Sequence, residues 1–129
     1  MPVVRSGWLF MLLGAAAIGI LSPAVFAQPA VLDGVRLIDQ DRQPLQPERL
    51  HDRIVLLNFV FTACSAVCPL QTRQLAQVQR ALPAGVAGQV HFLSVSIDPL
   101  NDTPEALHGF AQRTGADLRR WTFTTGAPA

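Results

Sequence analysis

"IVLLNFVFTACSAVCPLQTRQLAQVQRAL", residues 54–82, decides the fold. Residues 54–61 form an apolar run broken only by Asn58, rich in β-formers and flanked by polar residues. A strand buried on both faces of a parallel sheet reads this way, so the run is expected to be the central strand. Pro69 supplies the fixed φ of a first helical position, and Leu75, Val78 and Leu82 then fall on one helical face until "PAG" at 83–85 stops the helix. "VHFLSVSI", residues 90–97, reads as a second strand, and a strand–helix–strand passage of this kind is a right-handed βαβ unit. Both strands then end on the same edge of the sheet. Upstream, "VLDGVRLIDQDRQPL" (31–45) alternates apolar and polar residues and is interrupted by turn formers, as an edge strand or hairpin would be. Downstream, "DPLNDTPEALHGFAQRTG" (98–115) opens a second helix with Asp102 or Thr103 as cap, Pro104 and Glu105 in its first turn and Gly115 at its far end. "WTFTTG" (121–126) reads as a third short strand. The class is α/β.

A chain of 129 residues has room for one domain, and residues 1–27 are not expected to belong to it. Arg5 precedes the apolar "LFMLLGAAAIGIL" (9–21), and "SPAVFA" ends with Val25 and Ala27 at the positions signal peptidase reads. The same stretch, 9–27, carries no charge and approaches the ~20 residues needed to span a bilayer, so an uncleaved anchor is the rival reading. Residues 28–129 are the expected working domain. Formal net charge is +1, every basic residue is Arg, and no basic run tracks a phosphate backbone, which sets nucleic acid aside.

Both cysteines of the chain, Cys64 and Cys68, stand in "FTACSAVCP" between the first strand and the helix that follows it. Sites in parallel α/β sheets collect there, beyond the carboxyl ends of the strands. Four residues along a helical turn rise about 6 Å, within the ~4.4–6.8 Å of Cα separation that a disulfide tolerates, and the same spacing lets two sulfurs hold one metal ion. A bridge closing so short a loop removes only roughly 2 kcal/mol of unfolded-chain entropy, so a purely structural disulfide is a poor staple. The positive end of the helix favours a thiolate, which makes Cys68, next to Pro69, the expected more acidic thiol. Thiolates also select Cu(I). The spacing alone leaves redox chemistry and metal binding both open.

The three histidines are the natural search for a third ligand, and none is well placed. His51 and His91 stand at the amino ends of the two strands, about 20 Å from the cysteines at ~3.3 Å per residue, and His108 lies on the second helix as a surface or boundary residue. Asp98 ends the second strand on the same edge as the cysteines, where its carboxylate can tune a thiol or simply start the turn with Pro99. Phe59, Phe61, Phe92, Phe110 and Trp121 are expected in or near the core.

Three segments resemble the SCO/SenC family, the thioredoxin-like copper proteins that assist assembly of the binuclear copper centre of cytochrome c oxidase. "FTACSAVCP" resembles the family's T-x-C-x-x-x-C-P element, "SIDPLNDTPEAL" its D-P-x-x-D-T-P segment and "GADLRRWTFTTG" its glycine-to-tryptophan stretch. The resemblance covers residues 31–126, and its three-residue cysteine spacing differs from the two of thioredoxins. It implies a thioredoxin-like βαβ core with an amino-terminal hairpin. It also implies that Cys64 and Cys68 are copper-binding and redox-active thiols, with Asp98 a neighbour of the site and copper the cofactor. The implied partners are the copper-bearing subunit of the oxidase and other copper or thiol carriers. The implied place is exported, periplasmic or otherwise extracytoplasmic, with residues 9–27 as an inner-membrane anchor if they are not cleaved. The implied role is that of a metallochaperone more than an enzyme. The alternative is a thiol–disulfide oxidoreductase acting on cysteines of an oxidase subunit or another exported partner. The family's third ligand, a histidine, lies beyond the tryptophan stretch and matches no position here. Residues 28–129 are therefore expected to be an incomplete thioredoxin-like SCO domain, lacking the closing strands and last helix and leaving residues 54–61 with an open edge.

Overall fold

The run that reads as a central strand lies at the rim of the sheet among the described residues. A computed structural model describes Leu32 and residues 34–126, so the expected leader or anchor in residues 1–27 lies outside the described residues. The elements in chain order are β1 (Leu37–Asp39), a 3₁₀ turn (Pro47–Leu50), β2 (Ile54–Val60), α1 (Val67–Ala81), the short α2 (Ala84–Ala87), β3 (Val90–Ser96), α3 (Pro104–Thr114) and β4 (Trp121–Gly126). The sheet runs β1-β4-β3-β2. β2 is parallel to β3 with Ile54 opposite Val90 and Val60 opposite Ser96, β3 is parallel to β4, and β1 is antiparallel to β4. The βαβ unit and the third strand appear where the sequence placed them, and of residues 31–45 the structure makes a short edge strand that turns back through a single bridge between Ile38 and Pro44.

Strands β2, β3 and β4 step across the sheet in one direction, so right-handed crossovers put α1 and α3 on the same face, where the two helices pack together. That face holds the core: Val60, Phe92, Leu107, Phe110, Trp121 and Phe123 are buried in it. Trp121 lies 4.9 Å from Phe92 and 5.3 Å from Phe123, centroid to centroid, within the range of favourable aromatic pairs. Its indole N–H donates to Ser94 at 2.8 Å, and Ser94 donates to Asn58 at 2.7 Å. This polar line crosses three strands and explains the one polar residue in the run of residues 54–61. Asn58 Nδ2 stays buried without a partner among the described residues.

Among the described residues only one side of β2 is covered. Asn58 and Val60 are buried on the helix side, whereas Val55, Leu57 and Phe59 on the opposite side are exposed, Phe59 at 58 %. The expectation of a strand buried on both faces is corrected here, and Phe59 leaves the list of core aromatics. Composition reports that a strand can be buried; which neighbours cover it depends on chain elsewhere.

Helix α1 also buries a different stripe from the one its apolar residues suggest. Cys68, Thr72, Ala76 and Gln79 face inward, while Val78 is 46 % exposed and Leu75 and Leu82 are half-buried. The two buried polar side chains are satisfied. Thr72 donates to the Cys68 carbonyl at 2.8 Å. Gln79 donates to the Asp117 carbonyl at 3.0 Å and accepts from the Asp117 N–H at 2.9 Å. Helix α3 starts as the sequence indicates, with Thr103 as the cap accepting from the Ala106 N–H at 3.2 Å, Pro104 in the first turn, and Gly115 closing the helix at φ +77°. Asp102 is not the cap.

Candidate metal and redox site

The strand-to-helix connection after β2 is built so that one cysteine sulfur completes the first turn of the helix carrying the other. Val67 opens α1, placing Cys68 inside the first turn and Pro69 at its third position rather than its first. Proline is tolerated there because the first N–H groups of a helix have no intrahelical partner. The orphan N–H of Cys68 finds one nonetheless: it donates to Cys64 Sγ at 3.2 Å. The Cys64 N–H in turn donates to the Phe61 carbonyl at 3.2 Å, folding the loop back over the end of β2.

The two thiols are therefore unlike. Cys64 is partly exposed and Cys68 is buried, and they are not joined. The Cys64 thiol is held below the usual range, first by the Cys68 thiol as hydrogen-bond partner, then by the Cys68 N–H and those of Ala66 and Val67. Burial pushes the Cys68 thiol up, with further contributions from Cys64 and from the negative charge of Asp102. This reverses the order expected from Cys68 standing next to Pro69. Both feel the same helix terminus, but the N–H groups converge on the sulfur outside the helix, and desolvation dominates for the sulfur inside.

Asp98 lies just beyond β3, where Ile97 donates its N–H to the Val60 carbonyl at 3.0 Å and stitches the two strand ends together. Both of its carboxylate oxygens accept from the Asn101 side chain at 3.0 Å, and its carbonyl accepts from the N–H groups of Asn101 and Asp102. Its hydrogen bonds belong to the turn; none reaches a cysteine. The residue that sequence reasoning overlooked is Asp102, 1 % exposed, whose carboxylate accepts from Thr62, two residues before Cys64, and from Ser96 at the end of β3. In the sequence it carries a capping signal, which concealed this role.

The histidines stay apart from the cysteines. His51 is exposed before β2. His91 pairs with Thr122 at 2.8 Å, and burial, then the nearby Arg53, lower its pKa. His108 on α3 lies 3.4 Å from Asp41. Among the described residues no group of three or more His, Cys, Asp or Glu side chains converges to hold a metal ion. Two soft sulfurs, the partly exposed one of Cys64 in the loop and the buried one of Cys68 in the first turn of α1, still form a donor pair suited to Cu(I).

The model of the SCO1/SenC family matches residues 28–129. The chain belongs to the SCO1/SenC family. Three solved structures share its fold. A SCO1/SenC family lipoprotein of Bacillus anthracis is 33 % identical with a TM-score of 0.64, over 72 % of this chain and 55 % of that one. BsSco, described as a member of the Sco family of cytochrome c oxidase assembly proteins with a disulfide switch, is 32 % identical with a TM-score of 0.63, over 72 % and 54 %. ScoI of Bradyrhizobium japonicum, solved with copper bound, is 26 % identical with a TM-score of 0.63, over 73 % and 57 %. This SCO1/SenC chain thus spans a little over half the length of each of these relatives. The thioredoxin-like α/β class expected from its sequence is the class of these Sco structures.

Proposed function

We propose that this protein carries copper for assembly of the binuclear copper centre of cytochrome c oxidase, holding Cu(I) between the thiolates of Cys64 and Cys68. The observation that carries the reading is the pair itself: a partly exposed thiol in the loop before α1, poised below its usual pKa, and a buried one in the first turn of that helix, at the carboxyl edge of the sheet. Soft thiolates suit Cu(I). Copper bound to ScoI and the oxidase-assembly role attached to BsSco support the same cargo and the same destination. A third ligand comes from outside the described residues, as a histidine of a longer product or an exogenous donor. The oxidase subunit that bears the copper is the proposed acceptor, and the proposed place of work is extracytoplasmic, with Asp98 beside the site at the end of β3.

The asymmetry of the two thiols favours a second reading, thiol–disulfide exchange. The Cys64 thiolate attacks a partner disulfide, forming a mixed disulfide and expelling one partner thiolate. Cys68, once deprotonated, then attacks the Cys64 sulfur and expels Cys64's bonded partner sulfur, so two electrons pass from the pair to the partner. Titrating the reduced full chain with Cu(I) against a chromophoric chelator, beside a Cys64→Ser, Cys68→Ser double variant, separates the readings. One thiol-dependent equivalent is the expected result. Competition no better than that of the double variant removes the copper reading and leaves exchange.

A further inference from the structure

Asp102 is nearly inaccessible, yet its carboxylate is fully engaged. Oδ1 accepts from the Thr62 N–H at 2.9 Å and from the Thr62 hydroxyl at 2.6 Å, and Oδ2 accepts from the Ser96 hydroxyl at 2.5 Å. The Ser96 oxygen accepts in turn from the Asp98 N–H at 3.0 Å. One side chain therefore ties the start of the cysteine loop, the end of β3 and the residue before the α3 cap. Buried polar groups joined in this way are costly to break, because each donor released from the carboxylate is left without a partner.

The tie adds a polar anchor to the packing of Phe61 and Cys64 against the core. Among the described residues β2, which feeds the loop, is hydrogen-bonded to a neighbour on one side only, β3, and its outer face is exposed. At the other end of the loop, α1 is anchored through its buried stripe, which begins with Cys68. The 3.2 Å contact between the Cys68 N–H and Cys64 Sγ exists only while residues 62–66 keep their place relative to that helix.

We propose that Asp102 is the positioning residue of the Cys64–Cys68 pair, holding Thr62 so that the Cys64 sulfur stays over the first turn of α1. This rests on the reading that the two cysteines act together. Holding two sulfurs in place raises their effective concentration toward each other and toward a shared ion. Releasing the loop therefore lowers both the tendency to form the disulfide and the affinity for Cu(I).

The test is a redox titration of the full chain against reduced and oxidised dithiothreitol, reading the Cys64–Cys68 thiol–disulfide equilibrium, with unfolding followed in parallel. Asp102→Ala is expected to shift the equilibrium toward the dithiol by about tenfold, the lower end for loss of an outer-shell partner. Asp102→Asn keeps an oxygen for Thr62 and is expected to restore most of the native value. Val90→Ala, a buried change at the opposite end of β3, is expected to lose stability without moving the equilibrium. Should Asp102→Ala fail to fold, Thr62→Val, which removes only the hydroxyl bond, carries the test with an expected shift of about threefold in the same direction. An equilibrium unchanged in the folded Asp102 or Thr62 variant, or moved as far by Val90→Ala, overturns the proposal. The same variants are titrated with Cu(I). If the native chain takes no thiol-dependent copper, the copper reading falls while the redox equilibrium still judges Asp102.

Discussion

Replacing Gln79 by Leu removes the clamp between the far end of α1 and the loop entering β4 while leaving the volume of the side chain nearly unchanged. Gln79 is 1 % exposed and makes two hydrogen bonds with the backbone of Asp117, one as donor and one as acceptor. Two such bonds contribute about 1 kcal/mol each, and leaving the Asp117 N–H and carbonyl without partners adds about 1 kcal/mol or more where water cannot reach them. Asp117 is half-exposed, and its own carboxylate is already bound to Arg119 at 2.8 and 2.9 Å, so the loop keeps part of its order. The expected loss is about 2–4 kcal/mol, a large share of the ~5–15 kcal/mol typical of a domain. For a domain of this size that corresponds to a fall of roughly 10–25 °C in melting temperature. Urea unfolding of the full chain followed by far-ultraviolet circular dichroism measures it. Gln79→Glu serves as the companion. It keeps an acceptor for the Asp117 N–H but faces the Asp117 carbonyl with a second oxygen, so it should lose at least as much. A Gln79→Leu chain within about 0.5 kcal/mol of native would refute the argument, since that is the scatter of ordinary surface changes.

Two further outcomes follow from the site and from the rim of the sheet. In the reduced chain at neutral pH, iodoacetamide should label Cys64 before Cys68, because Cys64 is both accessible and held below the usual thiol pKa. Its labelling rate should reach half its plateau below the pH of a free thiol, and that of Cys68 above it; peptide mapping that finds Cys68 labelled first would sink the assignment. The edge of β2 that is unpaired among the described residues, with its exposed apolar face, should make a chain of residues 1–129 self-associate at micromolar concentration, and Phe59→Lys should reduce that association without altering the circular dichroism spectrum. A native chain that sediments as a monodisperse monomer would contradict this.

Much of the architecture is legible in one dimension because its signals are local. Thr103, Pro104 and Gly115 mark the bounds of α3 through backbone preferences that need no distant partner. Residues 90–96 and 121–126 announce strands through their composition, and two cysteines four positions apart at a strand-to-helix junction announce a site. The inward face of α1 was hidden because its polar members, Thr72 and Gln79, are satisfied by partners that apolar periodicity does not report. Asp102 was hidden for a related reason. An aspartate before Thr-Pro-Glu carries the signal of a helix cap, and only the approach of Thr62 and Ser96 turns it inward.

By itself the sequence determined the α/β class, the order of amino-terminal strand, βαβ unit and third strand, and the placing of Cys64 and Cys68 together at one strand-to-helix junction. Each depends on residues close together in the chain. The tertiary structure alone decided that β2 is the rim of the described sheet, that Asp102 bonds Thr62 at the start of the cysteine loop, and that N–H groups converge on Cys64 while Cys68 is buried. These depend on which strands pair among the described residues, on a carboxylate forty residues from its partner Thr62, and on the balance between converging N–H groups and burial. Such effects act through space, where distance along the chain carries no weight.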